Sequence, residues 1–268
     1  MDKIYTEYIS ENTKISTLSK RFKLSSKTLA RAFAKLEVKK PENLALKEVV
    51  VLADASYYGD RCNFGVVAFK DAISGKFLWW KFIYKKEQIS DYLQGLDYLR
   101  QKGYIIIAVV SDGLRGLSRA ISPLPFQFCQ FHAQSYAKTK LTNSPKTQAG
   151  INLLRIANSI FYTNSTEFRE LLENFYSEFG DFLSEKTTNE NGRSFYTHKR
   201  LRSAYFSLKR NLPLLFTYEK FSVVPNTNNK LEGSFKDLKN RLRVHNGLNL
   251  TNKERLISWY FFIKNNQK

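Results

Sequence analysis

Two aspartates and one glutamate are the residues through which this chain could do chemistry. Asp54 ends the apolar, β-branched run EVVVLAD, and Asp112 ends YIIIAVVSD, so each is expected at the carboxyl end of a buried strand. A carboxylate there is costly unless it has a cation, water or hydrogen bonds. Taken singly, each also fits a helix cap or a turn, Asp112 especially because Gly113 follows it. Glu232 heads the basic segment Asn226–Gly247, NTNNKLEGSFKDLKNRLRVHNG. Jointly, three carboxylates suit Mg2+ or Mn2+, which take hard oxygen ligands and keep waters for substrate. A pair of such ions, the number expected here, can activate the attacking oxygen and stabilise the leaving oxygen of an in-line phosphoryl displacement.

The element that must position Glu232 is an amphipathic helix. At 100° per residue Glu232, Lys236, Lys239 and Arg243 share one stripe, while Leu231, Phe235, Leu238 and Leu242 share its neighbour. Asn228 or Asn229 is the expected N-cap, and His245-Asn246-Gly247 is expected to supply a cation and a left-handed stop. The plainer alternative is a surface helix with a Glu232–Lys236 pair at i, i+4.

The elements that must position the aspartates form an α/β pattern. After the Asp54 strand, CNFGVVAFK and KFLWWKFIY read as antiparallel partners around the turn Asp71–Gly75, Ile89–Lys102 as a helix, and the Asp112 strand follows. A short helix in LRGLSRAI, a strand in FQFCQFH and a helix in AQSYAKTKL come next, giving a mixed sheet over residues 46–145. Strand signals then cease, and residues 146–224 read as an all-helical block with a loop at Asn189–Gly192. Residues 225–268 hold the Glu232 helix and a last helix, about Asn252–Lys264, whose Leu256, Trp259, Tyr260 and Ile263 are expected on the sheet.

Residues 1–45 differ in character. ISTLSKRFKLSSKTLARAFAKL reads as a helix over Ile15–Phe22, a turn at Lys23–Ser25 and a helix from Ser26 to Leu36 capped by Ser25 or Ser26. This is the helix-turn-helix pattern, with Lys27 and Arg31 on the helix that would enter a major groove; a plain helical hairpin fits equally. Lys39–Asn43 reads as a linker.

Composition points to the partner. With 43 Lys and Arg against 24 Asp and Glu, the formal charge is +19, which folding does not require and a polyanion rewards. Nucleic acid is the expected partner. Residues 199–255 carry thirteen Lys and Arg against four acids, concentrating that charge beside Glu232. An aromatic content of 15% excludes a disordered chain. No run of 18 apolar residues and no apolar signal core are present, so no membrane is expected and a soluble, cytoplasmic protein is. Two cysteines, Cys62 and Cys129, form no disulfide framework.

LADAS with Asp54, VVSDGLRGL with Asp112, CQFH over Cys129–His132 and NTNNKLEGSFKDLKNRLRVHNGL around Glu232 together resemble the DDE transposases of bacterial insertion sequences, in particular the Mutator-like group. The resemblance spans about residues 48–247 and rests on the order of these motifs. It implies a ribonuclease-H-like core interrupted by a helical insertion, with Asp54, Asp112 and Glu232 as the metal-binding catalytic triad. It also implies cleavage at transposon ends, joining of the freed 3′-hydroxyl to target DNA, a homo-oligomer in synapsis and a nucleoid-associated protein. The same residues fit a structure-selective nuclease that cuts without joining, or a catalytically silent DNA-binding relative. Zinc-ligating cysteines that many relatives carry near the N-terminus have no counterpart here.

Cys129 and His132 have half the spacing of a zinc site, and a metal-free role for His132 at DNA phosphate or in orienting the site is preferred; a merely packed pair is the alternative. Arg115 and Arg119 follow Asp112 by one and two turns, where they could grip a scissile backbone or simply be solvated. Trp79 and Trp80 alternate across their strand and are not expected to stack on bases.

Overall fold

The apolar run that follows Lys47 becomes strand β1 (Glu48–Tyr57), the centre of a three-stranded antiparallel meander with β2 (Gly65–Asp71) and β3 (Phe77–Ile83). The structure is a computed structural model and describes residues 1–44, 47–59 and 63–267; Cys62 and the start of the second strand's sequence segment lie outside them. By internal packing the chain divides into two units, Met1–Ile107 with Asn229–Lys268, and Ala108–Asn228. The strands of the mixed sheet run in the order β3-β2-β1-β4-β5, and the division falls within β4 (Ile105–Ser111).

In the first unit the register assigns each side chain to a face. Asp54 pairs with Ala68 and Leu52 with Lys70, while Ala68 in turn pairs with Trp80, so these side chains share one face. That face is covered by α11 (Leu250–Asn266), whose Phe261 ring lies 4.3 Å from that of Phe77 and 5.2 Å from that of Trp80. The other face carries Phe69 and Trp79, ring centroids 5.0 Å apart, beneath α4 (Ile89–Gln101). Gly95 makes that approach possible, since a Cβ there would stand 2.5 Å from Phe69. Both tryptophans are therefore buried under helices, one on each side.

Of the N-terminal helices α1 (Asp2–Ser10), α2 (Ile15–Phe22) and α3 (Ser26–Ala34), α1 packs on α11 while α2 packs against α1 and α3. Tyr5 wedges between Phe33 at 4.8 Å and Trp259 at 5.3 Å. Trp259 thus faces these helices and not the sheet as the sequence suggested, and its indole N–H donates to Glu37 C=O. The Lys39–Asn43 stretch is tied down rather than loose: Lys39 N–H donates to Ser258 Oγ, its ammonium lies 4.4 Å from the Trp259 ring, and Tyr98 OH donates to Pro41 C=O. Lys23 in the left-handed region (φ 54°) closes α2, and Ser25 Oγ caps α3 by accepting from Thr28 N–H.

In the second unit β4 pairs in parallel with β5 (Phe126–Phe128), from Val109 opposite Phe126 to Ser111 opposite Phe128. Pairing ends there, and the chain turns at Cys129 into α6 (Gln130–Leu141). Gln130–His132 therefore belong to a helix, where the sequence pattern suggested a strand. α5 (Leu117–Ala120), α7 (Gln148–Ser159), α8 (Ser165–Ser184) and α9 (Lys199–Leu215) complete this unit. Its core includes Leu153, Phe168, Leu172, Phe175, Tyr205 and Leu208. Residues 146–224 are not all helical: β6 (Lys186–Thr188) and β7 (Ser194–Tyr196) make a hairpin around Asn189–Gly192. β-branched and aromatic residues flank an Asn-Gly pair there, and Gly192 adopts φ +73°.

Candidate functional site

Asp54 does not end its strand. β1 continues to Tyr57, which places Asp54 three residues inside and nearly buried, at 8% exposure. The apolar run stops at Asp54, yet Ala55–Tyr57 still find ladder partners in Gly65–Val67, and that pairing extends the strand. Asp54 Oδ1 accepts the following Ala55 N–H at 2.8 Å. Burial, helped by the Asp54 charge, holds the neighbouring Tyr58 hydroxyl protonated well above the ordinary phenol range.

Glu232 stands in the first turn of α10 (Asn229–Val244), which packs against β1. Two lysines dock that turn. Lys70 of β2 donates from Nζ to Ser234 Oγ at 2.8 Å and to Lys230 C=O at 3.3 Å, and Lys230 Nζ donates to Ala72 C=O at 2.8 Å. Lys70 shares a sheet face with Asp54, so α10 lies over that face and Asp54 and Glu232 belong to the same side of the sheet. Glu232 Oε1 is shielded from solvent. Burial first, then the charges of Lys264 and Lys230, lowers the Lys70 pKa. The two stripes of α10 separate over most of its length as its sequence predicts: Leu231, Phe235 and Leu238 are buried and Leu242 half-buried, whereas Lys236, Lys239 and Arg243 are exposed.

The far end of α10 corrects one expectation. His245 is buried, its ring 4.0 Å from that of Tyr8, and burial drops its pKa to about 4. It is neutral at pH 7 and supplies no cation; Gly247 does adopt the left-handed stop, at φ +83°. Arg241 instead reaches the carbonyls of Ile9 and Ser10, closing the end of α1, and is held by Asp237 at 3.1 Å.

Asp112 lies in the second unit, directly after the last residue of β4. Gly113 fixes the turn behind it. Its φ is +86°, and a Cβ would stand 1.8 Å from Phe128 Cε2, so only glycine fits. Ser111 Oγ donates to Asp112 Oδ1 at 3.2 Å. Asp112 lines a cleft of about 870 Å3 whose walls include Arg115, Arg119, His132, Tyr136 and Arg210. Three guanidiniums and a single carboxylate make it an anion-attracting cleft.

The sequence singled out Arg115, Arg119 and His132 but not Arg210 or Tyr136. A signal for Arg210 existed: the 17 residues of α9 contain five Lys and Arg and no acid. Cys129 is a buried free thiol whose Sγ accepts Asn228 N–H at 3.3 Å and whose own N–H donates to Ser111 C=O at 2.9 Å. Those bonds anchor Cys129 where the chain turns from β5 to α6. At the N-terminus, Lys27 and Arg31 project from α3 into solvent opposite buried Leu29 and Phe33. Among the described residues, no helix is long and apolar enough to cross a membrane.

No protein-family model and no curated protein matches the chain. Among solved structures, its whole length aligns with 91% of a chain of the Drosophila P element transposase strand transfer complex, at 13% identity and a TM-score of 0.43.

Proposed function

We propose that this protein is a DNA transposase of the DDE type, in which Asp54, Asp112 and Glu232 act as one metal-binding triad. What carries this reading is the buried Asp54 on the sheet face over which α10 brings Glu232, docked by Lys70 and Lys230. The three carboxylates of the proposed triad would offer hard oxygen ligands of the kind a divalent ion takes, and Asp54 is largely withdrawn from water. When bound, Mg2+ or Mn2+ polarises a phosphodiester and acidifies the attacking hydroxyl or water.

The chain's own residues supply the rest. Arg115, Arg119 and His132, beside Asp112 in its cleft, offset the repulsion between a phosphate backbone and a carboxylate. Lys236, Lys239 and Arg243 present an exposed cationic stripe along α10 for the same backbone, and Lys27 and Arg31 on α3 are the candidates for reading bases in a major groove. Synapsis of two DNA ends calls for a homo-oligomer. In the finer assignment, favoured by the order of the sequence motifs, the core is ribonuclease-H-like and the protein belongs to the Mutator-like group of bacterial insertion-sequence transposases.

The test is cleavage and joining of a labelled duplex carrying the repeats that flank the reading frame, with Mg2+ present. Asp54→Asn, Asp112→Asn and Glu232→Gln should each lose cleavage to background while still binding DNA. Full activity in any one of them removes that residue from the triad. Transfer of a labelled 3′ end to a target plasmid separates a transposase from a nuclease that only cuts.

A further inference from the structure

We infer that α9 and the β6–β7 hairpin form a second DNA contact, a track that holds the phosphate backbone of a duplex without reading its bases. It extends the proposed function, from which it takes only DNA as the polyanion; the triad plays no part in it.

Lys199, Arg202, Ser203, Phe206 and Arg210 fall on one stripe of α9 and, with Tyr196 of the hairpin, line an open hollow of about 370 Å3 with no acid among them. Arg210 also lines the Asp112 cleft, on the adjacent stripe of the same helix. Tyr136 of the cleft and Ser203 of the hollow are joined by a 2.9 Å hydrogen bond. Cleft and hollow are thus neighbouring parts of one surface within the second unit. From Lys199 to Arg210 the helix rises about 16 Å, matching roughly five base pairs of duplex at 3.4 Å each.

The aromatic residues indicate what is gripped. The Arg202 guanidinium lies 3.9 Å from the Tyr196 ring centroid and 4.5 Å from that of Phe206, and Nη1 reaches Leu183 C=O at 3.4 Å. Lys199 Nζ lies 4.1 Å from the Phe195 ring. These rings carry cations on their faces, so they are not open platforms for stacking bases. Their effect is to hold the cations in place, which reduces the side-chain entropy lost when a phosphate binds.

The test is fluorescence anisotropy of the full chain with a labelled duplex of arbitrary sequence, without divalent metal, over a range of salt. Lys199→Gln, Arg202→Gln and Arg210→Gln together should lower the slope of log K against log salt by about 2 to 3, near 0.9 per lost phosphate contact, and weaken binding alike across sequences. The control removes the same charge from exposed Lys85, Lys86 and Lys102 in the first unit, and should move the slope by less than about 1. Because Arg202 also packs on two rings, Lys199→Gln with Arg210→Gln is measured separately and should account for about 2 of the loss. A slope equal to the control's, or a loss confined to single strands, overturns the inference. Cleavage with an unchanged slope sinks the track alone; the slope change without cleavage sinks the proposed chemistry alone.

Discussion

Replacing Gly113 by alanine tests how Asp112 is held. Two separable costs follow from the geometry. An L-residue in the left-handed region, here φ +86°, costs about 1–2 kcal/mol. The added Cβ, 1.8 Å from Phe128 Cε2, forces the ring or the turn to move, an overpacking cost of about 1–3 kcal/mol. Together they predict a loss of about 2–5 kcal/mol in the second unit. Trp79, Trp80 and Trp259 all lie in the first unit, so their fluorescence gives no local report on this turn. Hydrogen exchange in β4 and β5 does, and protection there should fall roughly 30-fold or more, since each 1.4 kcal/mol is a factor of ten. Measured against Phe128→Leu alone, adding Gly113→Ala should cost only about 1–2 kcal/mol, because a smaller neighbour relieves the steric part and leaves the backbone strain. Protection within about 0.5 kcal/mol of the parent in the single variant would refute the reasoning, because the backbone part has no route of escape.

Two further predictions concern the first unit. Asp71 is 1% exposed; its Oδ1 accepts Val50 N–H at 3.1 Å and its Oδ2 accepts Ser74 N–H at 2.7 Å. Asp71→Ala leaves a buried N–H without its acceptor and should cost about 3 kcal/mol, read as a lower urea midpoint by tryptophan fluorescence. His245 has a folded pKa of about 4 against 6.5 unfolded, so the unfolded chain binds the proton more readily. Stability from this residue is complete above about pH 6.5 and is lost as pH falls toward 4, up to about 3 kcal/mol. His245→Gln should flatten that part of the pH–stability curve, and an identical acid slope in parent and variant would rule the titration out.

The helices were legible from periodicity because their period records which side is buried. α10 separated Leu231, Phe235 and Leu238 from Lys236, Lys239 and Arg243 as its sequence implies, and α2 has the bounds its pattern gave. Signals from short segments went astray. The β6–β7 hairpin escaped notice because its strands are three residues each and largely exposed, too short to show alternation. Gln130–His132 read as strand because apolar and polar residues alternate there, while the end of parallel pairing after Phe128 makes them helix.

Residue type and order determined the candidates for chemistry, the carboxylates Asp54, Asp112 and Glu232, and a cationic excess of +19. Tertiary structure decided their surroundings. Strand register set Asp54 inside β1 on the face under α10, a buried approach to Phe128 made Gly113 obligatory, and burial turned His245 from an expected cation into a neutral ring. Those outcomes depend on contacts between residues far apart in the chain. Local spacing carries no information about desolvation or cross-strand register, which arise only when the elements pack.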